Sequence, residues 1–254
     1  MEVTALKRIN PVALVMLAIA ALSCGCGVNQ PSADEIISKA IEKHGGPLYD
    51  QADVQFTFRG QIFQTKMQDG EFEVQRWFKD EHGDVVDILR NRSFIRKVNS
   101  EEVELNAIKK EALYNDANSV VYFAMLPYRL NDPAVNKQLM CTSDIEGEPY
   151  YKVEITFDSN GGGENFEDSF IYWIHKKDFT VDYLAYSYSI NGGGVRFRKA
   201  YNQREINGIR FQDYVNYTID DDFPAHELDF AFETGRLREL SRIDLEDIQV
   251  NVTK

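Results

Sequence analysis

The sequence predicts a mainly β chain of α+β character: a curved antiparallel sheet or half-barrel of roughly eight to eleven strands wrapped around one or two helices. Two observations predict this class. Apolar and polar residues alternate with a period of two through most of the chain. The alternating runs are separated by short stretches rich in Gly, Asn and Asp, which are typical of hairpin turns. Helical periodicity is confined to two stretches, so the strands lack the helices that parallel crossovers need.

The first predicted element is a helix that begins after Ser32 and ends at His44. Ser32 and Glu35 form a capping box, and apolar residues recur at helical spacing at Ile36, Ile37, Ala40 and Ile41. The Gly-Gly pair that follows is a typical C-terminal stop. Two interpretations of His44 stay open: a residue that ends the helix, or a ligand-binding or chemically active side chain.

From residue 53 the pattern is that of strands. The runs are DVQFTFRGQIF, EFEVQRWF, GDVVDILRN and SFIRKVN, joined by links such as QDGE and DEHGD. Residues 106–135 interrupt them with an apolar helical stripe that Pro127 ends. We expect this second helix to lie across the sheet and to cover its inner face.

The second half returns to strands that are rich in aromatic residues. The runs are PYYKVEITF, FEDSFIYWIHK, VDYLAYSYSI, VRFRKAY, GIRFQDYVNYTI and RLRELSRIDLEDIQV. Their alternation aligns apolar side chains on one face, at Phe166, Phe170, Tyr172, Ile174, Leu184, Tyr186, Tyr188, Phe197 and Tyr201. Tyr172 and Tyr186 are therefore candidate ligand-binding residues, and the alternative is that the whole face is a filled core.

The tetrad Asn-Gly-Gly-Gly occurs twice, at residues 160–163 and 191–194. A phosphate-binding loop would lead from a strand into a helix, but both tetrads are followed by alternating runs. We therefore interpret both as hairpin turns. In a meander, alternate turns lie at the same end of the sheet, so the two tetrads should be neighbours on one rim.

Charged residues flank both tetrads. Glu167 and Asp168 follow the first, and Arg196 and Arg198 follow the second. A turn centred near residues 177–178 places Glu167 opposite Ser189, and a turn within the second tetrad places Ser189 opposite Arg196. These residues are candidates for binding a polar head group, and the alternative is a cross-strand charge network.

Other candidate chemistry is sparse. Asp213 stands beside a tyrosine and is a further candidate ligand-binding residue, and Asp182 has a similar context. The four histidines are scattered without metal-ligand spacing, so no metal site is predicted. There is no Gly-x-Ser-x-Gly motif, and neither a cofactor nor a set of catalytic residues is predicted.

The N-terminus predicts a lipoprotein signal peptide over residues 1–23. Lys7 and Arg8 precede an apolar run, and small residues then precede Cys24, the expected site of acylation, with Cys26 as the alternative. We expect residues 24–32 to be a tether and residues 33–254 to form a single half-barrel domain. Cys141 has no predicted disulfide partner.

The chain has 28 basic and 41 acidic residues and a formal net charge of −13. A surface of this sign repels phosphate backbones, so nucleic acid is excluded as an expected partner. It does not favour adsorption on anionic lipid either, and the expected partner is a membrane held through the N-terminal acyl anchor. Protein partners are not predicted.

Several longer stretches resemble an uncharacterised family of lipoproteins from Gram-negative bacteria, a domain of unknown function. They are HGG after the first helix, FTFRG, LPYRLNDPAV and the block from GGGENFEDSF to FQDYVNY, and the resemblance spans roughly residues 33–250. The order of helices and strands is similar to the half-barrel of periplasmic lipoprotein carriers and their outer-membrane receptors. That resemblance implies an apolar cavity that binds acyl chains.

The leading hypothesis is a lipid-anchored envelope protein, on the outer membrane and facing the periplasm, that binds a hydrophobic or amphipathic ligand such as a lipid and performs no chemistry. One alternative is an envelope hydrolase or lyase that uses His44 with Asp168, Asp182 or Asp213. Another is a purely structural envelope lipoprotein.

Overall fold

The computed structural model describes residues 30–252, apart from residues 69–70, 92, 159–168, 189–192 and 221–222. The residues from Pro31 onward form one compact unit, built on two antiparallel sheets of seven strands each. Sheet 1 contains, in spatial order, β14 (Glu246–Val252), β1 (Ala52–Phe58), β2 (Gln61–Gln68), β3 (Glu71–Asp80), β4 (Gly83–Arg90), β5 (Ser93–Val98) and β6 (Glu101–Glu102). Sheet 2 contains β13 (Arg238–Ile243), β12 (Ile209–Thr218), β11 (Gly194–Ile206), β10 (Val181–Tyr188), β9 (Phe170–His175), β8 (Glu148–Phe157) and β7 (Val135–Ile145).

The helices of the described residues are α1 (Ala33–His44), α2 (Ala107–Ala124) and α3 (Leu228–Glu233). Short 3₁₀ turns occur at Gly46–Gln51, Tyr128–Asn131 and Ala225–Glu227. The predicted capping box of α1 is present: the Ser32 hydroxyl accepts from the Glu35 amide, and the Glu35 carboxylate accepts from the Ser32 amide. Both predicted long helices are therefore confirmed.

Each sheet is a meander, and the chain passes directly from one sheet to the other. It leaves sheet 2 at Ile243 and enters sheet 1 at Glu246, where β14 returns to pair with β1. Asp213 fixes this crossing: its Oδ1 accepts from the Leu245 amide at 2.9 Å and from the Arg204 guanidinium at 3.0 Å. At the other ends of the meanders, α2 carries the chain from β6 to β7.

The predicted fold class, mainly β with curved antiparallel sheets and helices packed against them, is confirmed, although the described residues form fourteen strands in two sheets and not eight to eleven in one. The run DVQFTFRGQIF forms two strands because Arg59 (φ 50°) and Gly60 (φ 73°) make a two-residue turn with positive φ at both positions. The run from residue 238 likewise divides into β13 and β14. Two strands lack an alternating pattern in the sequence and were not predicted. They are β6, which is two residues long, and β7.

Helix α2 contacts both sheets, as expected for a helix on the inner face. Ala117 and Val121 pack into an apolar cluster with residues of sheet 1. On the opposite side of the helix, Tyr122 shares a hydroxyl–hydroxyl hydrogen bond of 2.9 Å with Tyr172 of sheet 2. The helix therefore bridges the inner faces of the two sheets.

Sheet 2 is buried on both faces. On its outer face, α3 covers Trp173, and the buried Asp229 of α3 accepts from the Trp173 indole at 3.1 Å and from Lys152 at 2.9 Å. Phe197 belongs to this outer face, since it pairs opposite Ala185 and packs on Phe232. The expectation that Phe197 shares the inner face with Tyr186 is wrong, because a period-two pattern does not say which face of a doubly buried strand points inward.

Candidate ligand-binding cavity

A cavity of about 1510 Å³ lies between the inner faces of the two sheets, beside α2. Sheet 1 contributes Phe58, Phe72 and Phe94 to its wall, and α2 contributes Val120 and Phe123. Sheet 2 contributes an aromatic surface and a polar one, each built by neighbouring strands. The volume exceeds the roughly 300–1,000 Å³ of typical drug-sized sites.

The aromatic surface consists of side chains from α2, β8, β9 and β10. The Phe170 and Tyr186 rings stack with their centroids 5.4 Å apart, as expected from their direct opposition on neighbouring strands. Phe123 of α2 lies 5.6 Å from Tyr186, and Phe157 lies 5.8 Å from Phe170. These rings give one part of the cavity an apolar wall that suits hydrocarbon.

The polar surface is centred on Arg198, which is only 8% exposed. Its guanidinium carbon lies 3.9 Å from the centroid of the Phe123 ring, and its Nη2 donates to the Tyr186 hydroxyl at 2.9 Å. Its Nε is buried without a hydrogen-bond partner. Within the described residues, Arg198 forms no ion pair with a carboxylate.

Two side-chain amides on β12 lie in the same part of the wall. Asn216 stands directly opposite Arg198 and donates to Ser241 at 3.3 Å, while its Oδ1 is buried without a partner. Gln212 donates to the Val181 carbonyl and to the Tyr214 hydroxyl, both at 2.8 Å, and its Oε1 also lacks a partner. Three polar atoms of these neighbouring residues are thus unsatisfied at the cavity wall.

The hydroxyls of Tyr214 and Tyr172, near Arg198, are neutral. Burial raises the pKa of Tyr214 to about 12, and burial with the neighbouring Tyr122 raises the pKa of Tyr172 well above its ordinary value. Neutral hydroxyls cannot compensate the guanidinium charge. Among the described residues, no anion therefore balances the positive charge of Arg198.

Of the residues proposed from the sequence, Arg198 and Tyr186 line the cavity. Tyr172 lies on the same face of sheet 2 but is fully buried behind the wall, where it contacts Tyr122. Arg196 donates to the Val195 carbonyl at 2.9 Å and to Thr218 at 3.1 Å, and it does not line the cavity.

His44 and Asp213 lie away from the cavity and make contacts within the fold. His44 is 1% exposed, and its Nε2 accepts from the Val181 amide at 3.2 Å. Burial, with smaller repulsion from Arg210 and Lys43, lowers its pKa to about 3. A neutral imidazole in this position links α1 to β10. Asp213 accepts hydrogen bonds from the Leu245 amide and from Arg204 where the chain crosses between the sheets.

Glu167, Asp168, the first tetrad and half of the second lie outside the described residues. The strand ends that flank the two stretches, Phe157, Phe170, Tyr188 and Gly194, lie at the same end of sheet 2 because the strands form consecutive antiparallel pairs. Whether the charged residues beside the tetrads meet there stays a prediction.

The register expected across the second tetrad is wrong. Arg196 lies opposite Tyr186, not Ser189, because the link between β10 and β11 runs over residues 189–193 and Gly194 is already in the strand. The register expected across residues 177–178 agrees with the observed pairing of Tyr186 with Phe170.

The wall residues that the sequence reasoning missed include Phe123, Gln212 and Asn216. Phe123 is not part of the predicted apolar stripe of α2, so it went unnoticed. Gln212 and Asn216 do carry a signal, since both are amides on a strand that also carries Phe211, Tyr214, Val215 and Tyr217. Alternation places them on one face, together with Tyr214.

Two negative findings, on metal ligands and on membrane-spanning helices, apply to the part of the chain that the structure describes. No group of three or more His, Cys, Asp or Glu side chains there is arranged to hold a metal ion. No helix in that part has the length and hydropathy of a membrane span.

Solved structures with a similar fold include three bacterial proteins. A LolA superfamily protein from Nitrosomonas europaea is 14% identical, with a TM-score of 0.48 over 87% of this chain and 94% of that one. A DUF1329 family protein from Desulfovibrio piger is 12% identical, with a TM-score of 0.44 over 88% and 95%. A domain from Vibrio parahaemolyticus, whose name connects it with outer membrane lipoprotein sorting, is 7% identical, with a TM-score of 0.44 over 86% and 93%.

No curated protein matches the chain. The sequence resemblance to an uncharacterised family is nevertheless confirmed. Residues 13–244 match the family of unknown function DUF6503, and the chain belongs to that family.

Proposed function

We propose that this protein is an envelope protein that holds the hydrophobic part of an amphipathic molecule in the cavity between its two sheets. The observation that carries the proposal is the cavity itself, about 1510 Å³ with a wall of aromatic side chains. Protein interiors are close-packed, and voids larger than a water molecule are few. A space of this size is therefore better explained as a binding site than as a packing defect.

The alternative of an envelope hydrolase or lyase has no support in the described geometry. His44 is committed to the Val181 amide and lies away from the cavity. Asp213 accepts hydrogen bonds from Asn202, Arg204 and Leu245 and is 2% exposed. A general base must reach the proton it removes, and neither side chain lines a site that could admit a substrate.

A titration of the purified protein with a fluorescent single-chain lipid tests the proposal. We expect saturable binding with one ligand per chain. Replacing Val120 of the cavity wall with aspartate should weaken binding at least about tenfold, because a charge then faces hydrocarbon. The matched control is Ile108→Asp, on the same helix but 82% exposed and outside the cavity wall. Equal binding by both variants would contradict the assignment of the site.

We also propose that Cys24 is acylated and tethers the protein to the outer membrane, facing the periplasm. The support is the sequence around Cys24, which combines a charged start, an apolar run and small residues before the cysteine. Cys24→Ala should release the protein from the membrane fraction in soluble form. Continued acylation of this variant would point to Cys26 instead.

A further inference from the structure

We propose that the cavity selects amphiphiles that carry an anionic head group, a carboxylate or a phosphate, and that Arg198 binds this group. This inference rests on the proposed function, because it names the class of ligand for the same cavity. It is carried by a buried guanidinium at the cavity wall that no described carboxylate pairs with.

The other buried cations of the described residues show what is unusual about Arg198. Arg76 is 3% exposed and donates to the Asp87 carboxylate at 2.6 Å. Lys152 is 7% exposed and pairs with Asp229 at 2.9 Å. Each of these charges has its anion within the fold, as burial of a charge normally requires. Arg198 is buried to a similar extent, and no described carboxylate pairs with it.

The described cross-strand neighbours of Arg198 supply no anion. Its two cross-strand neighbours on the same face are Leu184 and Asn216, both uncharged. The chain as a whole has 41 acidic residues against 28 basic ones, so carboxylates are plentiful elsewhere. An aspartate in place of Asn216 would neutralise the guanidinium, but it would also repel an anionic ligand.

The contacts of Arg198 hold it in place while leaving donors free. The Phe123 ring lies against the guanidinium, and the Tyr186 hydroxyl accepts one hydrogen bond. Nε has no partner. A guanidinium is suited to paired hydrogen bonds with carboxylate or phosphate oxygens, and such charge-assisted bonds are strong where water is excluded. The aromatic surface beside it, formed by Phe170 and Tyr186, would receive the hydrocarbon chain.

An unsatisfied amide oxygen refines the class of ligand. Asn216, directly opposite Arg198, has an acceptor, Oδ1, that a ligand hydroxyl close to the anion would satisfy. A phosphate on a glycerol backbone supplies both an anion and a hydroxyl, whereas a fatty acid supplies the anion alone. Both share the chemistry that Arg198 recognises.

The test compares ligands that share one palmitoyl chain and differ in the head group: palmitate, palmitoyl lysophosphatidate and the neutral monopalmitoylglycerol. We expect the wild-type protein to bind at least one anionic ligand about tenfold or more tightly than the neutral one. Tighter binding of lysophosphatidate than of palmitate would identify a phosphate head group as the preferred anion, and equal binding would leave the negative charge itself as the recognised feature. Equal affinity for all three ligands would overturn the inference while leaving the proposed cavity function intact. Failure of all three to bind would instead overturn the proposed function.

Arg198→Gln should remove the preference for anions and leave the affinity for monopalmitoylglycerol within about twofold. Arg196→Gln is the matched control, since Arg196 lies two residues away on the same face of β11 but outside the cavity wall. The control should keep the preference. If Arg198→Gln failed to fold, Arg198→Lys would replace it, because lysine keeps the charge and loses the paired geometry, and its preference should fall without vanishing. A preference unchanged in a folded Arg198 variant would contradict the assignment.

Discussion

Asp87→Ala is expected to lower the free energy of unfolding by about 3–5 kcal/mol, the usual effect of removing one partner of a buried ion pair. Asp87 is fully buried on β4 and accepts four hydrogen bonds. Two come from Arg76, at 2.6 and 3.0 Å, and two from Arg96, at 2.7 and 2.8 Å. Removing the carboxylate leaves two adjacent cations, and Asp116 of α2 remains to pair only with Arg76.

Urea unfolding followed by circular dichroism measures this loss. Asp84→Ala is the matched control, because Asp84 is on the same strand but pairs at the surface with Lys79 at 3.6 Å. Exposed pairs contribute little, so the control should unfold near the wild-type midpoint. Similar midpoints for the two variants would show that the buried charges under α2 do not stabilise the fold as described.

The stability of the protein is expected to fall as the pH falls below about 6.5, through His44. Burial lowers the pKa of His44 to about 3 in the folded state, whereas an unfolded histidine titrates near 6.5. Between these values the unfolded state binds a proton that the folded state does not, so acidification favours unfolding. At pH 4.5 this linkage amounts to about 2 kcal/mol relative to neutral pH.

The contribution of His44 is isolated by comparing the wild-type protein with His44→Gln, which keeps an acceptor for the Val181 amide and does not titrate. Carboxylates titrate in both proteins, so the difference between the two stability curves reports the histidine. The difference should grow from pH 6.5 to pH 4.5. His82→Gln, at an exposed position, should follow the wild-type curve. Parallel curves for wild type and His44→Gln would contradict the buried neutral imidazole.

The elements that depend on local sequence were predicted well. The capping box of Ser32 and Glu35 determined the start of α1, and the apolar stripe ending before Pro127 determined α2. Period-two alternation was sufficient to identify most strands and their antiparallel order. Each of these signals lies within a few residues of the element that it specifies, and tertiary packing did not override it.

An apolar cavity was expected from the family resemblance, but its lining could not be predicted, because the lining depends on contacts between residues far apart in the sequence. Alternation aligned Tyr186 with Phe170 correctly, but the link between β10 and β11 is longer than the tetrad suggested, so the position of Arg196 was misjudged. Phe197 was assigned to the inner face because nothing local reveals that α3 covers the outer one. The sheet 1 wall at Phe58, Phe72 and Phe94 is brought to the cavity by the crossing at residues 243–246 and by the packing of α2 against both sheets.

Arg198 was proposed as a ligand-binding residue from the sequence, and the structure supports this role for a different reason. Its proximity to a glycine-rich rim suggested that it binds a polar head group or, alternatively, joins a charge network with Glu167 and Asp168, which lie outside the described residues. The distinguishing feature is instead its burial against Phe123 at the cavity wall without a described counter-charge. Burial and the lack of a partner are properties of the folded chain, and the sequence pattern contains neither.

Native mass spectrometry of the protein purified from the bacterial envelope, without added lipid, tests the central claim most directly. We predict a population that carries one amphiphile per chain, whose mass and fragmentation show a hydrocarbon chain, and which is lost on denaturation. Val120→Asp should lower the bound fraction, and Ile108→Asp should not. Protein that carries no ligand, and that fails to bind any added single-chain amphiphile, would contradict the proposal that the cavity is a binding site.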